Sequence, residues 1–190
     1  MSKNLELENL KKEVAKVSDD TVWGLYAHLV QELRDRKLVR TRNITGERGE
    51  FLAIKAYKET IGLPKLQAAR ELTKNVDALS GEGKRYTIKT VSQKTVNTGI
   101  FAGLAESHQE PTEQKFEYVV IVVLDRDLQA DLILELTWDQ FMALKYWNGG
   151  MKGWGLTVNQ KLISMAKIIY QKPDSLTLRG GWKKAAARSN

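Results

Sequence analysis

Apolar residues recur along this chain with two different periods. Near the N-terminus Leu7, Leu10, Val14 and Val17 return every three or four positions with Lys and Glu between them, the pattern of an amphipathic helix. Ser18, Asp19 and Asp20 interrupt it and are good N-caps for a second helix, whose Leu25, Leu29 and Leu33 form one stripe. Such stripes ordinarily pack on a core, and a helical pair can alternatively supply a homodimer interface. A third helix is predicted from Thr45 or Gly46 to Gly62, with Pro64 just beyond and Phe51, Leu52, Ile54 and Ala56 as its buried side. Leu63 to Thr73 shows no clear period and stays unassigned.

From Asn75 to Val91 the period shortens to two. Val76, Ala78 and Leu79 give a short apolar strand, and Arg85 to Val91 alternate as a second, with Ser80-Gly81-Glu82-Gly83 between them. A three-residue loop over Gly81, Glu82 and Gly83, with Gly83 left-handed, sets Asp77 opposite Thr87. Lys89 then points the same way, one step along. Ser92 to Glu113 reads as a polar loop with one short helical turn, Phe116 to Leu124 as a strand buried on both faces, and Asp131 to Leu136 as an alternating strand after a turn at Asp125-Arg126-Asp127. Trp138 to Tyr146 and Val158 to Tyr170 look like closing helices. Arg179 to Asn190 reads as a basic frayed tail, tacked down in part by Trp182.

This order predicts an α/β or α+β domain around a mixed sheet flanked by helices, at residues 43–178, behind an N-terminal helical pair at 1–42 and before the tail at 179–190. At 190 residues, 42% hydrophobic and 28% charged, the chain can bury a full core. A formal net charge of +7 favours a polyanionic partner, with phosphate contacts expected from Arg34, Arg36, Lys37, Arg40 and Arg42 and from the loop residue Lys94. The absence of cysteine removes disulfides, thiolate metal sites and thiol nucleophiles. Nothing resembles a signal peptide or a membrane span, so a cytoplasmic protein without a membrane partner is expected. His28 falls mid-helix and His108 in a polar loop, and neither joins a catalytic or metal-binding constellation.

What remains is the hairpin, which gathers a carboxylate, a hydroxyl and an ammonium on one face. Glu47 and Glu50 lie three apart near the start of the third helix, where helix-dipole interaction is the plain explanation and delivery of a carboxylate to a site the sharper one. Gly49-Glu50-Phe51-Leu52-Ala53, then Val76-Asp77-Ala78, then Tyr86-Thr87-Ile88-Lys89-Thr90, then the Tyr118 to Leu124 strand together resemble the PD-(D/E)XK, or restriction-endonuclease-like, nuclease superfamily. The resemblance runs from Thr45 to Leu136. It implies a restriction-endonuclease-like fold in which Glu50, Asp77, the Ile88 backbone carbonyl and Thr87 hold Mg²⁺, or Mn²⁺ in its place, and Lys89 assists catalysis. It further implies cleavage of DNA, as in a restriction or phage-related system. One position departs from the pattern: Thr87, a neutral and weaker ligand, stands where the family commonly has an acid or glutamine. Glu47 or Glu82 could stand in for it. A nucleic-acid-binding or assembly protein with a decayed site is the second expectation. A plain cross-strand ion pair of Asp77 and Lys89 on a solvated sheet face is the third.

Overall fold

A computed structural model describes residues 3–39, 43–70, 75–92, 95–104, 108–173 and 175. Arg40, Arg42, Lys94 and the basic tail with Trp182 lie outside the described residues. The chain divides into two compact units, Met1–Arg42 and Asn43–Asn190.

The first unit contains α1 (Lys3–Val14) and α2 (Asp19–Asp35). Ser18 caps α2 by accepting from the Thr21 N–H, and Asp19 and Asp20 complement the positive helix end. The expected packing of these stripes on a core is not what is found. No residue of α2 is buried, and Leu7, Leu10, Leu25 and Leu29 are exposed. What supports the helices locally is charge at helical spacing, with Lys11 on Glu8, Lys16 on Glu13 and Arg36 on Glu32.

The second unit is a mixed α/β domain. Its elements are α3 (Ile44–Glu59), β1 (Gln67–Ala68), β2 (Ala78–Leu79), β3 (Arg85–Ser92), β4 (Tyr118–Leu124), β5 (Ala130–Thr137), α4 (Trp138–Leu144), β6 (Tyr146–Asn148), β7 (Gly153–Gly155), α5 (Gln160–Met165) and β8 (Lys167–Gln171). Six strands form one sheet in the order β1-β2-β3-β4-β5-β8, and β6 and β7 form a separate ribbon. The sheet is mostly antiparallel; β3 and β4 run parallel.

β4 is the centre of the core because its β-branched residues fill both faces. Val119, Ile121 and Val123 join Phe101, Phe116, Phe141 and Leu156, whereas Val120, Val122 and Leu124 join Ala53 and Tyr57 of α3. Each such fully buried side chain contributes about 1.5–3 kcal/mol of transfer free energy. β5 is buried along nearly its whole length, including Asp131 and Glu135, rather than alternating as expected.

Three further expectations are corrected. Phe51 is 48% exposed, beneath the Arg48 guanidinium, and α3 turns Gly49, Ala53 and Tyr57 to the sheet instead. The segment expected as a helix from Val158 to Tyr170 is helical only over α5; Lys167–Gln171 pairs with β5 as an edge strand. Ile168, Ile169 and Tyr170 suit a pleated edge better than a helix, and β5 leaves that edge open. The link from β3 to β4 has no helix among its described residues. It is held by bridges from Asn97 to Thr157 and from Phe101 to Trp154. No helix among the described residues is long and apolar enough to cross a membrane.

Candidate functional site

The hairpin closes on the predicted loop. Gly83 takes φ +77, its N–H donates to the Ser80 carbonyl, and Ser80 Oγ accepts from the Lys84 N–H. Ala78 pairs with Tyr86 and Leu79 with Arg85, which continues to Asp77 opposite Thr87. The side chains meet there: Asp77 Oδ2 accepts from the Thr87 hydroxyl at 3.1 Å and from the Ile88 N–H at 2.6 Å. Both bonds fall on one oxygen, so among the described residues Oδ1 accepts no hydrogen bond.

β2 is only two residues long, so β3 loses its neighbouring strand on that side from Thr87 onward. Asp77 occupies the opening. Within a strand the N–H and C=O of one residue point to the same edge. Because the Ile88 N–H reaches Asp77, the Ile88 carbonyl is also directed into this opening, away from the β4 ladder.

Alternation puts Thr87, Lys89 and Val91 on the face opposite α3. Val91 belongs to the cluster around Phe101, and the Lys89 ammonium lies 5.1 Å from the Phe101 ring centroid. Burial holds the Lys89 pKa below the usual lysine value, and the charges of Asp77 and then Glu50 act against that shift. Those two carboxylates are therefore the anions that Lys89 senses. Lys89 is half-buried over the Phe101 ring, so the solvated sheet face expected in the third reading does not describe this site.

Glu50 follows Gly49, the residue at which α3 comes closest to β3. A Cβ on Gly49 would come within 2.9 Å of Thr90 Cβ and Cγ2 and would overlap Oγ1, so only glycine permits this approach. At the start of the same strand Arg85 grips Glu117, with Nη2 at 2.6 Å from Oε1 and the Arg85 N–H at 2.6 Å from Oε2, fixing β3 against the entry to β4.

The two stand-ins for a third acid behave differently. Glu82 sits in the exposed hairpin loop and borders a cleft on the α3 face, away from Lys89. Glu47 is buried one turn before Glu50 and does not figure among the charges acting on Lys89. Among the described residues no cluster of three His, Cys, Asp or Glu side chains is shaped to hold a metal. Asp77 and Glu50 are the two carboxylates whose charges act on Lys89, and the Ile88 carbonyl is directed to the same open edge as Asp77. That set fits Mg²⁺, which commonly takes one or two carboxylates and keeps waters or phosphate oxygens for the rest.

Arg34, Arg36 and Lys37 are exposed on the N-terminal unit, with the Arg36 guanidinium 2.6 Å from Glu32. Sequence reasoning missed Phe101, whose position under Lys89 depends on its pairing with Trp154 and has no local signal. Comparison of the sequence with protein-family models and with curated proteins finds no match.

Proposed function

We propose that this chain is a Mg²⁺-dependent endonuclease hydrolysing phosphodiester bonds in DNA, built on a restriction-endonuclease-like domain. The observation that carries the reading is the half-buried Lys89, over the Phe101 ring and within the field of the Asp77 and Glu50 charges, at the point where the β3 edge is open to a ligand. Asp77, Glu50 and the Ile88 carbonyl would hold Mg²⁺, which would supply charge neutralisation at the scissile phosphate and a lower pKa for the attacking water. Thr87 and the Ile88 N–H orient the Asp77 carboxylate by fixing Oδ2. Lys89, partly withdrawn from water, presents its ammonium where negative charge builds on the phosphorane oxygens, and desolvation strengthens that interaction. Its lowered pKa also brings it nearer to accepting a proton from the attacking water.

The test is incubation of the purified full chain with supercoiled and linear DNA, with and without Mg²⁺ or Mn²⁺, beside Asp77→Ala and Lys89→Ala. Metal-dependent cleavage by the wild type alone supports the reading, with Lys89→Ala still binding DNA because one lysine is a small part of a polyphosphate footprint. Equal cleavage by all three proteins would assign the activity elsewhere. One observation favours a second reading, a DNA-binding protein with a decayed site: neutral Thr87 occupies the position of the usual acid. Tight, salt-sensitive DNA binding without cleavage in any metal would make that the better account.

A further inference from the structure

A second site lies on the other face of the sheet. β3 and β4 run parallel and in register with Tyr86 beside Tyr118, and neighbouring strands lie about 4.8 Å apart. The two rings therefore stack, with centroids 4.8 Å apart and planes 21° from parallel. Beyond them on the same face is Glu135 of β5, whose Oε2 accepts from the Tyr57 hydroxyl at 2.5 Å. These groups floor a cleft of about 470 Å³, walled by Leu63 and Pro64 after α3. Its mouth carries Lys84 and Lys167 against one opposing charge, Glu82.

Glu135 is the informative residue. It is buried, and among the described residues the group paired with its second oxygen, Oε1, is Lys167, at 3.7 Å, too far for a hydrogen bond. Lys167 is itself largely exposed, so it does not seal the carboxylate. The Tyr57 phenol, pushed far up by burial and by the Glu135 charge, stays protonated and occupies Oε2 permanently. An anionic acceptor with one oxygen taken and one directed at a cleft calls for a ligand carrying a donor. The stacked rings call for a flat aromatic body, and Lys84 at the mouth for an anionic group at the far end.

We infer that this cleft binds a nucleotide, its base lying along Tyr118 with an exocyclic amino group donating to Glu135 Oε1 and its phosphate at Lys84. An aliphatic ligand would leave Oε1 unpaired, and an acidic one would meet Glu135 head-on. Thymine, which has no exocyclic amino group and only its ring N3–H to donate, is the base this arrangement disfavours. The volume lies in the range of small-molecule sites. The inference stands apart from the nuclease reading, because Asp77 and Lys89 lie on the opposite face of β3.

Equilibrium dialysis of the full chain without divalent metal, against dCMP, dAMP, dGMP and dTMP and against oligo-dC and oligo-dT, tests it. Saturable binding is expected, with the amino-bearing bases about tenfold tighter than thymine. Tyr118→Ala is expected to weaken it about tenfold through lost stacking. The exposed Lys84→Ala, which leaves the core untouched, should weaken it roughly threefold and flatten its salt dependence. Asp77→Ala should leave it unchanged. Binding of dCMP marks a free nucleotide as the ligand, and binding of oligo-dC alone marks a base within a strand; both uphold the site. No saturable binding at millimolar ligand, equal affinity for thymine, or loss with Asp77→Ala but not with Lys84→Ala overturns it.

Discussion

Gly49→Ala tests the close approach of α3 to β3. In an exposed helix interior this change stabilises a protein by about 1 kcal/mol, since alanine is the better helix former. Here the added methyl would lie within 2.9 Å of two Thr90 carbons and would overlap its hydroxyl oxygen. Thr90 is β-branched, so no rotamer removes all three atoms, and the helix must move instead. Overpacking of this kind costs about 1–3 kcal/mol. With all three side-chain atoms obstructed, the upper end applies, leaving about 2 kcal/mol of net destabilisation after the helix gain. That corresponds to a Tm lowered by about 4–8 °C for a chain of this size.

The partner substitution makes the cause identifiable. Thr90→Ala removes Oγ1 and Cγ2, so Gly49→Ala in that background should recover at least half of its cost, and a thermal or urea double-mutant cycle should give about 1–2 kcal/mol of coupling. Because Glu50 follows Gly49 directly, the single mutant should also lose metal-dependent cleavage more than its stability loss explains, and the double mutant should regain part of it. If Gly49→Ala raised Tm, or if the two changes were additive, the close approach would not be what positions Glu50.

Lys89→Met should raise stability at pH 7 by about 1 kcal/mol while abolishing cleavage, because burial makes the charged lysine unfavourable in the fold despite Asp77 and Glu50; a lower Tm in calorimetry would refute this. The phenols of Tyr57 and Tyr86 are both pushed up, chiefly by burial, so they contribute stability that is full below pH of about 10 and falls as pH rises beyond it. Tyr57→Phe should reduce that alkaline loss in urea titrations and cost about 1–3 kcal/mol at neutral pH by leaving Glu135 Oε2 buried without its donor; an unchanged alkaline limb would count against it. Thr87→Glu should lower Tm without metal, since Thr87 is 1% exposed and an acid there is desolvated, and millimolar Mg²⁺ should restore it by more than it stabilises the wild type. Equal Mg²⁺ shifts in both proteins would remove Thr87 from the metal site.

The parts of this fold legible in sequence are those fixed by local chemistry. The hairpin register follows from a two-residue period and a glycine able to take φ +77, and the α2 start follows from Ser18. The face of α3 was not legible, because helical periodicity allows several apolar faces. Phe51, the bulkiest apolar residue in the stretch, lost its place inside to a glycine that lets the backbones approach. The β6–β7 ribbon, with Asn148-Gly149-Gly150 at its turn, begins at Tyr146, expected as the last residue of a helix that ends at Leu144, and otherwise falls in a stretch left unassigned. β8 depended on an open edge of β5, a tertiary fact that no window of sequence contains. At the site, Asp77, Thr87 and Lys89 share a hairpin and could be placed together, whereas Phe101 arrives through a pairing with Trp154 more than fifty residues away.

The environment of Lys89 combines three features that do not require one another. A two-residue β2 leaves the β3 edge open beside Asp77, Gly49 admits α3 and with it Glu50, and the β3–β4 connection slides an aromatic ring beneath the ammonium. For packing alone, a leucine or methionine would serve better at this position, since it would add apolar contact without the desolvation of a cation. For surface charge alone, a lysine would stand in water, where two nearby carboxylates would raise its pKa. Its half-buried place over the Phe101 ring argues against the second explanation, and the carboxylates acting on it make the first insufficient. A cation made less stable in the resting protein, yet flanked by anions, is favoured once a further negative charge enters beside it. A phosphodiester passing through its pentavalent transition state supplies such a charge, so the cost of burying Lys89 and its part in the proposed hydrolysis have the same physical origin.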